Sequence, residues 1–270
     1  MLKLLATPAS TGSVLVRSTL PGMKLKDWIG LFLMALLLAP AWVTAQAPTN
    51  ADISPVPIFR KNSSILFQGD SITDGNRGRS LDPNHILGHG YAFIIAAKYG
   101  AAFPELNLTF LNRGVSGNTV ADLAKRWQSD ALDLKPEILS ILIGVNDNSR
   151  DVPLDQFEEV YDKLLADTLA ANPAVHIVLC TPFTLPVGNK KEQYEEWAAR
   201  IRQREEIVAK LARKHHAALV LFQPVFDAAA QKAPAEHWIW DGIHPTYSGH
   251  QLMADEWVRT VREFWPGHPK

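Results

Sequence analysis

Ile65-Leu66-Phe67-Gln68-Gly69-Asp70-Ser71-Ile72-Thr73-Asp74-Gly75 decides the fold: an apolar run stops at a glycine and hands on to a polar turn that carries a serine. A short apolar run bounded by a turn residue reads as a strand buried on both faces. In parallel α/β proteins ligands gather outside the carboxyl ends of the strands, so Ser71 would be presented to a cleft. The same residues support a second reading. Ser71-Ile72-Thr73-Asp74 also fits a capping box with Asp in the place of Glu, in which the hydroxyl satisfies only a helix amide.

Outward from this stretch the pattern is one repeated alternation. Strand-like runs fall at 64–68, 108–112, 138–143, 176–180 and 218–222, each short and rich in Ile, Leu, Val or Phe. Helix-like segments lie between them. Phe157, Val160, Tyr161, Leu164, Leu165 and Leu169 form one apolar stripe, opened by Pro153 and closed by Asn172-Pro173. Tyr194, Trp197, Ala198, Ile201, Val208, Leu211 and Ala212 form a second, with Arg, Lys and Glu opposite, and 248–262 is also helix-like. Continuous apolar strands alternating with helices predict a parallel α/β sheet of five strands covered on both sides, with right-handed crossovers. No internal repeat breaks the pattern, so 63–266 is expected to be one catalytic domain behind a linker at 48–62.

Before the linker, residues 24–47 have the layout of a secretory signal: Lys24 and Lys26, an apolar stretch over 28–38, Pro40, and a small-residue exit through Ala45 and Ala47. Met23 stands just ahead of it as an alternative start, leaving 1–22 as an upstream extension. A competing reading is an uncleaved anchor over 28–45. In either case the bulk of the protein is expected to be exported, to the periplasm or the medium, and after cleavage to hold no stable membrane association.

Composition narrows the function. At 270 residues, 47% hydrophobic and 20% charged, the chain can bury a full core. Lys and Arg total 27 against 28 Asp and Glu, a net of −1, which gives no excess charge for nucleic acid and favours a neutral substrate. Cys180 has no intramolecular partner and sits in an apolar run, where it is expected to pack as a small buried hydrophobe. Without a cysteine pair or an HExxH cluster no metal or other cofactor is expected, and His215-His216 reads as a helix end in solvent.

Three further clusters fall at predicted strand ends or near the C-terminus: Asn112-Arg-Gly114-Val-Ser-Gly117-Asn-Thr119, Gly144-Val-Asn146-Asp147, and Trp238-Ile-Trp240-Asp241-Gly-Ile-His244-Pro245. Each alone fits an ordinary loop. Together they supply what a serine nucleophile lacks. A serine needs an imidazole to take its proton, and the imidazole needs a carboxylate to hold its tautomer, which His244 and Asp241 can provide from one loop. The Ser71 amide, the Gly117 amide and the Asn146 side chain can converge as oxyanion donors. Thr73 replaces the second glycine of a G-x-S-x-G elbow, which disfavours the α/β-hydrolase fold.

Gly69-Asp-Ser71, Gly117 in GVSGNT, Asn146 in GVND and Asp241-x-x-His244 resemble the four ordered blocks of the SGNH, or GDSL-type, hydrolases, over about 65–250. The resemblance implies a flavodoxin-like three-layer α/β/α sandwich and ester hydrolysis through an acyl-serine intermediate. It gives Ser71 as nucleophile and first oxyanion donor, Gly117 and Asn146 as the other donors, His244 as base then acid, and Asp241 as its orienting carboxylate. Asp70-Ser-Ile-Thr-Asp74, Leu87-Gly-His-Gly90-Tyr91, Pro104-Glu-Leu, the extended NRGVSGNTVADL with Arg126-Trp127, and Lys135-Pro136 look most similar to single-domain acetylxylan esterases. An acetylated carbohydrate substrate is therefore expected, with Trp238 and Trp240 either walling a sugar site or packing the His244 loop. The alternatives are a lysophospholipase or thioesterase on the same residues, or a non-catalytic carbohydrate-binding protein on the same fold.

Overall fold

The computed structural model describes residues 53–80 and 82–267; the secretory segment, its alternative start and the first part of the linker lie outside them. Five strands, β1 (Ser64–Gly69), β2 (Thr109–Asn112), β3 (Ile138–Leu142), β4 (His176–Cys180) and β5 (Ala218–Val220), form one sheet in the order β2-β1-β3-β4-β5. Every pairing is parallel, with Phe67 opposite Asn112, Gly69 opposite Leu142, and Leu142 opposite Cys180. All five strands therefore end on the same side.

The helices in chain order are α1 (Ser71–Asp74), α2 (Tyr91–Ala102), α3 (Val120–Trp127), α4 (Val145–Ser149), α5 (Leu154–Ala171), α6 (Tyr194–Lys214), α7 (Phe222–Ala230) and α8 (Tyr247–Phe264). Strand side chains alternate between two apolar clusters. Ile65, Phe67, Leu142, Val178, Cys180 and Val220 meet α2, α7 and α8 on one face. Leu66, Leu139, Ile141, Ile177 and Leu179 meet α3, α5 and the second half of α6 on the other. This is the three-layer sandwich with a five-stranded parallel sheet. Cys180 is fully buried, and burial pushes its thiol up to about 12.

Several particulars differ from the sequence reading. Val56, Ile58 and Phe59 fall in the stretch expected to be a linker, yet they are buried, with the Phe59 ring edge-on to Tyr99 at 5.3 Å. Proline and asparagine mark irregular backbone, and irregular backbone can still pack. β5 stops at Val220, because the Phe222 N–H is taken by Thr181 Oγ1 at 3.2 Å and the chain turns into α7, a helix the periodicity did not single out. His215 is not in solvent: its ring packs against α5 and its Nε2 lies 2.6 Å from Asp162 Oδ1, whereas His216 is exposed. Arg204, counted with the charged face of α6, is buried. Among the described residues no helix is long and apolar enough to cross a membrane.

Candidate active site

Ser71 follows β1 by one residue, and the turn is tight because of Gly69. A Cβ at Gly69 would stand 2.4 Å from the Leu142 carbonyl oxygen and 2.5 Å from Thr73 Oγ1, so only glycine lets β1 lie this close to β3 and α1. The cap of α1 is Asp70: its Oδ1 accepts the Ile72 N–H at 3.0 Å. Ser71 is therefore not the capping residue that the S-x-x-D spacing allowed. Its hydroxyl lies 2.7 Å from His244 Nε2.

A small hairpin brings the imidazole there. Ile239 pairs with Pro245 as an antiparallel bridge, the Trp240 N–H donates to the His244 carbonyl at 3.1 Å, and the Thr246 N–H donates to the Trp238 carbonyl at 2.9 Å. Ile239 is fully buried and anchors the hairpin, so Asp241 to His244 form its projecting tip. Within the tip, Asp241 Oδ1 accepts the Ile243 N–H at 3.0 Å and the His244 N–H at 2.8 Å, while Oδ2 lies 2.7 Å from His244 Nδ1. An ionised carboxylate only accepts, so Nδ1 carries the hydrogen and Nε2 is free to accept from Ser71. Burial works to raise the Asp241 carboxyl, but the hydrogen bonds from His244 and Ile243 hold it below the ordinary carboxylate value. The same bond from Asp241 raises His244 above the ordinary imidazole value.

Gly117 and Asn146 come from the ends of β2 and β3, and three contacts tie their loops together and to α1. Asn146 Nδ2 donates one hydrogen to the Asn118 carbonyl at 3.1 Å, which leaves its second hydrogen available. Asp147 accepts the Val120 N–H at 3.0 Å, and Asp74 accepts the Ser116 N–H at 3.0 Å and the Ser116 hydroxyl at 2.8 Å. Gly117 has φ +82, a left-handed turn that suits glycine, and its carbonyl accepts from Arg150 at 2.7 Å. Beneath the turn, Arg126 donates to Asn118 Oδ1 at 2.8 Å, the Arg113 carbonyl at 2.7 Å and Gln68 Oε1 at 3.0 Å.

The two tryptophans separate. Trp238 packs against the core cluster with its Nε1 buried and without a hydrogen-bond partner among the described residues. Trp240 is 64% exposed, and its ring lies 6.2 Å from that of His244 at 26° between planes. Sequence reasoning gave no role to Arg126, although it stood in a quoted stretch, read Asp74 only as the carboxylate of a capping box, and missed Arg204. Burial pushes Asp70 up to about 7 and Asp147 up to about 6.

A serine hydroxyl, an imidazole and a carboxylate linked in this order, with amide donors on neighbouring strand ends, suit acyl transfer. A profile of the GDSL-like Lipase/Acylhydrolase family matches residues 67–252. The chain belongs to that family. It is accordingly a carboxylic ester hydrolase. Acetylxylan esterase of Geobacillus stearothermophilus is 33% identical over 214 residues, 74% of this chain and 94% of its own length. A solved structure of a catalytic mutant of Axe2, an acetylxylan esterase from Geobacillus stearothermophilus, aligns with a TM-score of 0.67 at 30% identity, over 78% of this chain and 99% of its own. Its catalytic mutants replace a serine, an aspartate and a histidine three positions after the aspartate. A Parabacteroides merdae ATCC 43184 structure described as a GDSL-like lipase aligns with a TM-score of 0.73 at 37% identity, over 77% of this chain and 99% of its own.

Proposed function

We propose that the chain is an exported serine esterase that removes small acyl groups, acetyl foremost, from carbohydrate, with Ser71 as nucleophile. The observation that carries the reading is the unbroken chain Ser71 Oγ, His244, Asp241, with 2.7 Å at each of its two links. His244 Nε2 takes the Ser71 proton as Oγ attacks the ester carbonyl, and the tetrahedral oxyanion accepts from the Ser71 N–H, the Gly117 N–H and the second hydrogen of Asn146 Nδ2. The imidazolium returns the proton to the sugar oxygen, which leaves as alcohol and strands the acyl group on Ser71. Water then repeats the sequence: His244 deprotonates it, the second tetrahedral species collapses, and the proton returns to Oγ as the carboxylic acid departs. Asp241 stays ionised throughout and holds the ring. The acetyl and carbohydrate part of the reading is supported by the acetylxylan esterase relative, by the balanced charge of −1 and by the exposed Trp240 ring beside His244. Export is supported by the secretory layout of 24–47.

Acetate release from acetylated xylan and acetylated pectic glycans, compared with release from lysophospholipid and acyl-thioester, tests the substrate class. The expected result is preference for an acetylated glycan, and preference for long acyl chains would overturn it. Ser71→Ala should abolish p-nitrophenyl acetate turnover and leave circular dichroism and melting unchanged. N-terminal sequencing of protein recovered outside the cytoplasm tests export, with a start just after residue 45 or 47 expected.

A further inference from the structure

The geometry points to Thr184 as a positioning residue for Asp241, acting through the Gly242–Ile243 peptide; this rests on the catalytic reading of the site above. Thr184 lies in the loop after β4 and is 1% exposed. Its hydroxyl donates to the Gly242 carbonyl at 2.9 Å, and the Leu185 N–H donates to the same oxygen at 3.1 Å. On its other side the same planar amide presents the Ile243 N–H, which donates to Asp241 Oδ1 at 3.0 Å. One peptide plane is thus gripped at its oxygen by the β4 loop and aims its N–H at the carboxylate. Two donors on the carbonyl also polarise the amide, which makes its N–H a stronger donor.

Thr184 is itself held from both sides. Its N–H donates to Gln223 Oε1 at 2.9 Å, and its carbonyl accepts from Gln223 Nε2 at 3.0 Å. A line of contacts therefore runs from Gln223 on α7 through Thr184 and one peptide to Asp241, and on through His244 to Ser71. Thr184 touches no reacting atom; its effect passes through the orientation of Asp241. Five other charged or titratable groups face this line: Asp227 accepts from Gln223 Nε2 at 2.8 Å, the Tyr194 hydroxyl donates to the Thr184 carbonyl at 3.4 Å, and three more face its catalytic end. Lys190 faces Asp241 from the same β4 loop, Asp70 faces His244 from the foot of α1, and His250 faces it from α8. None is changed by the substitutions that follow.

The test is steady-state hydrolysis of p-nitrophenyl acetate across pH by Thr184→Val, which keeps the branched shape without the hydroxyl, and by Thr184→Ser, which keeps the hydroxyl. Loss of one such hydrogen bond should lower kcat about tenfold with KM within about twofold of the parent. A loosened Asp241 supports the His244 proton less, so the acid limb of kcat/KM should move to lower pH. Thr184→Ser should restore most of kcat and the position of the limb. The inference is overturned by a Thr184→Val enzyme with parental kcat, by one that only melts earlier without moving the limb, or by a Ser variant as impaired as Val. If Thr184→Val does not fold, Gln223→Leu applies the same test from the other side of Thr184. It should show the same kcat-over-KM loss and the same direction of limb shift, and an unchanged profile overturns the inference. Ser71→Ala run in parallel separates the two readings: residual turnover there sinks the catalytic reading itself. An inactive Ser71→Ala beside an unaffected Thr184→Val sinks only the role of Thr184.

Discussion

In the proposed mechanism the Ser71 hydroxyl, too weak a nucleophile by itself, is activated by the neutral Nε2 of His244. Because Asp241 raises the His244 pKa, the imidazole stays charged to a higher pH than a free histidine, and turnover should rise as pH passes upward through that value. Asp241→Asn removes the anion and presents an amide that can hold the wrong tautomer. The acid limb should then move to lower pH, and kcat should fall roughly a thousandfold or more with little change in KM; a pH series of initial rates reads both. Asp70 makes a separate prediction. Burial lifts its carboxyl from 3.8 to about 7, so the folded state keeps a proton that the unfolded chain releases. Stability from this group is complete below the unfolded value and drains away as pH climbs through the folded one, by up to ~4 kcal/mol. Asn can still accept the Ile72 N–H without ionising. Urea unfolding from about pH 5 to about pH 8 should therefore show the parent losing stability relative to Asp70→Asn; parallel curves would refute it. The sequence placed Ser71 at a strand end but left open whether its hydroxyl caps a helix. That choice depends on whether Asp70 caps the helix through the Ile72 N–H or Ser71 caps it through the Asp74 N–H, a difference that composition and spacing do not carry.

At the scale of elements, β1, β3 and β4 were legible to within a residue because strands covered on both faces must be apolar throughout. α5 was legible for the opposite reason, since one face only is covered and the period shows. α6 is more instructive. Its stripe runs Trp197, Ile201, then Val208 and Leu211, and the position that completes the three-and-four spacing is Arg204. A charged residue in register with a buried stripe was the available sign that something beneath needs donors. In the fold its guanidinium donates to Asn148 Oδ1 at 2.9 Å, the Asp147 carbonyl at 3.1 Å and the Val152 carbonyl at 2.8 Å. These contacts fix α4 and the turn after it, and with them Asn146. Arg204→Met takes the guanidinium from Asn148 Oδ1 and the Val152 carbonyl and leaves the Asp147 carbonyl with the Val152 N–H alone, and should cost about 3 kcal/mol in urea unfolding, with a fall in kcat as Asn146 loses its support. Arg204→Lys should rescue little of either, because a single ammonium cannot reach three acceptors laid out for a planar fork. Full rescue by Lys would mean that the charge alone matters.

For the molecule as a whole, parallel strands with all their carboxyl ends on one side put the turns that carry residues 71, 117 and 146 at the same end of the sheet. That much followed from the alternation of strands and helices. The support from Thr184 and Gln223 did not, because a backbone carbonyl gripped by a distant hydroxyl leaves no trace in residue type or period. The surface that receives substrate is a property of the same end of the sheet. A ring as large as Trp240, 64% exposed beside the base, is apolar area that a sugar face can cover, whereas the chain's net charge of −1 offers a polyanion no general attraction. Two results should then appear together. Trp240→Ala should raise KM for acetylated xylooligosaccharide about tenfold, and far more than it raises KM for p-nitrophenyl acetate, since only the glycan has a ring to stack. Raising ionic strength from about 10 mM to about 500 mM should leave kcat/KM on the glycan nearly unchanged, because stacking is not screened while charge steering is. A steep fall with salt, together with an indifferent Trp240→Ala, would mean that charged groups at the rim rather than the indole select the substrate, and that the natural ester is anionic.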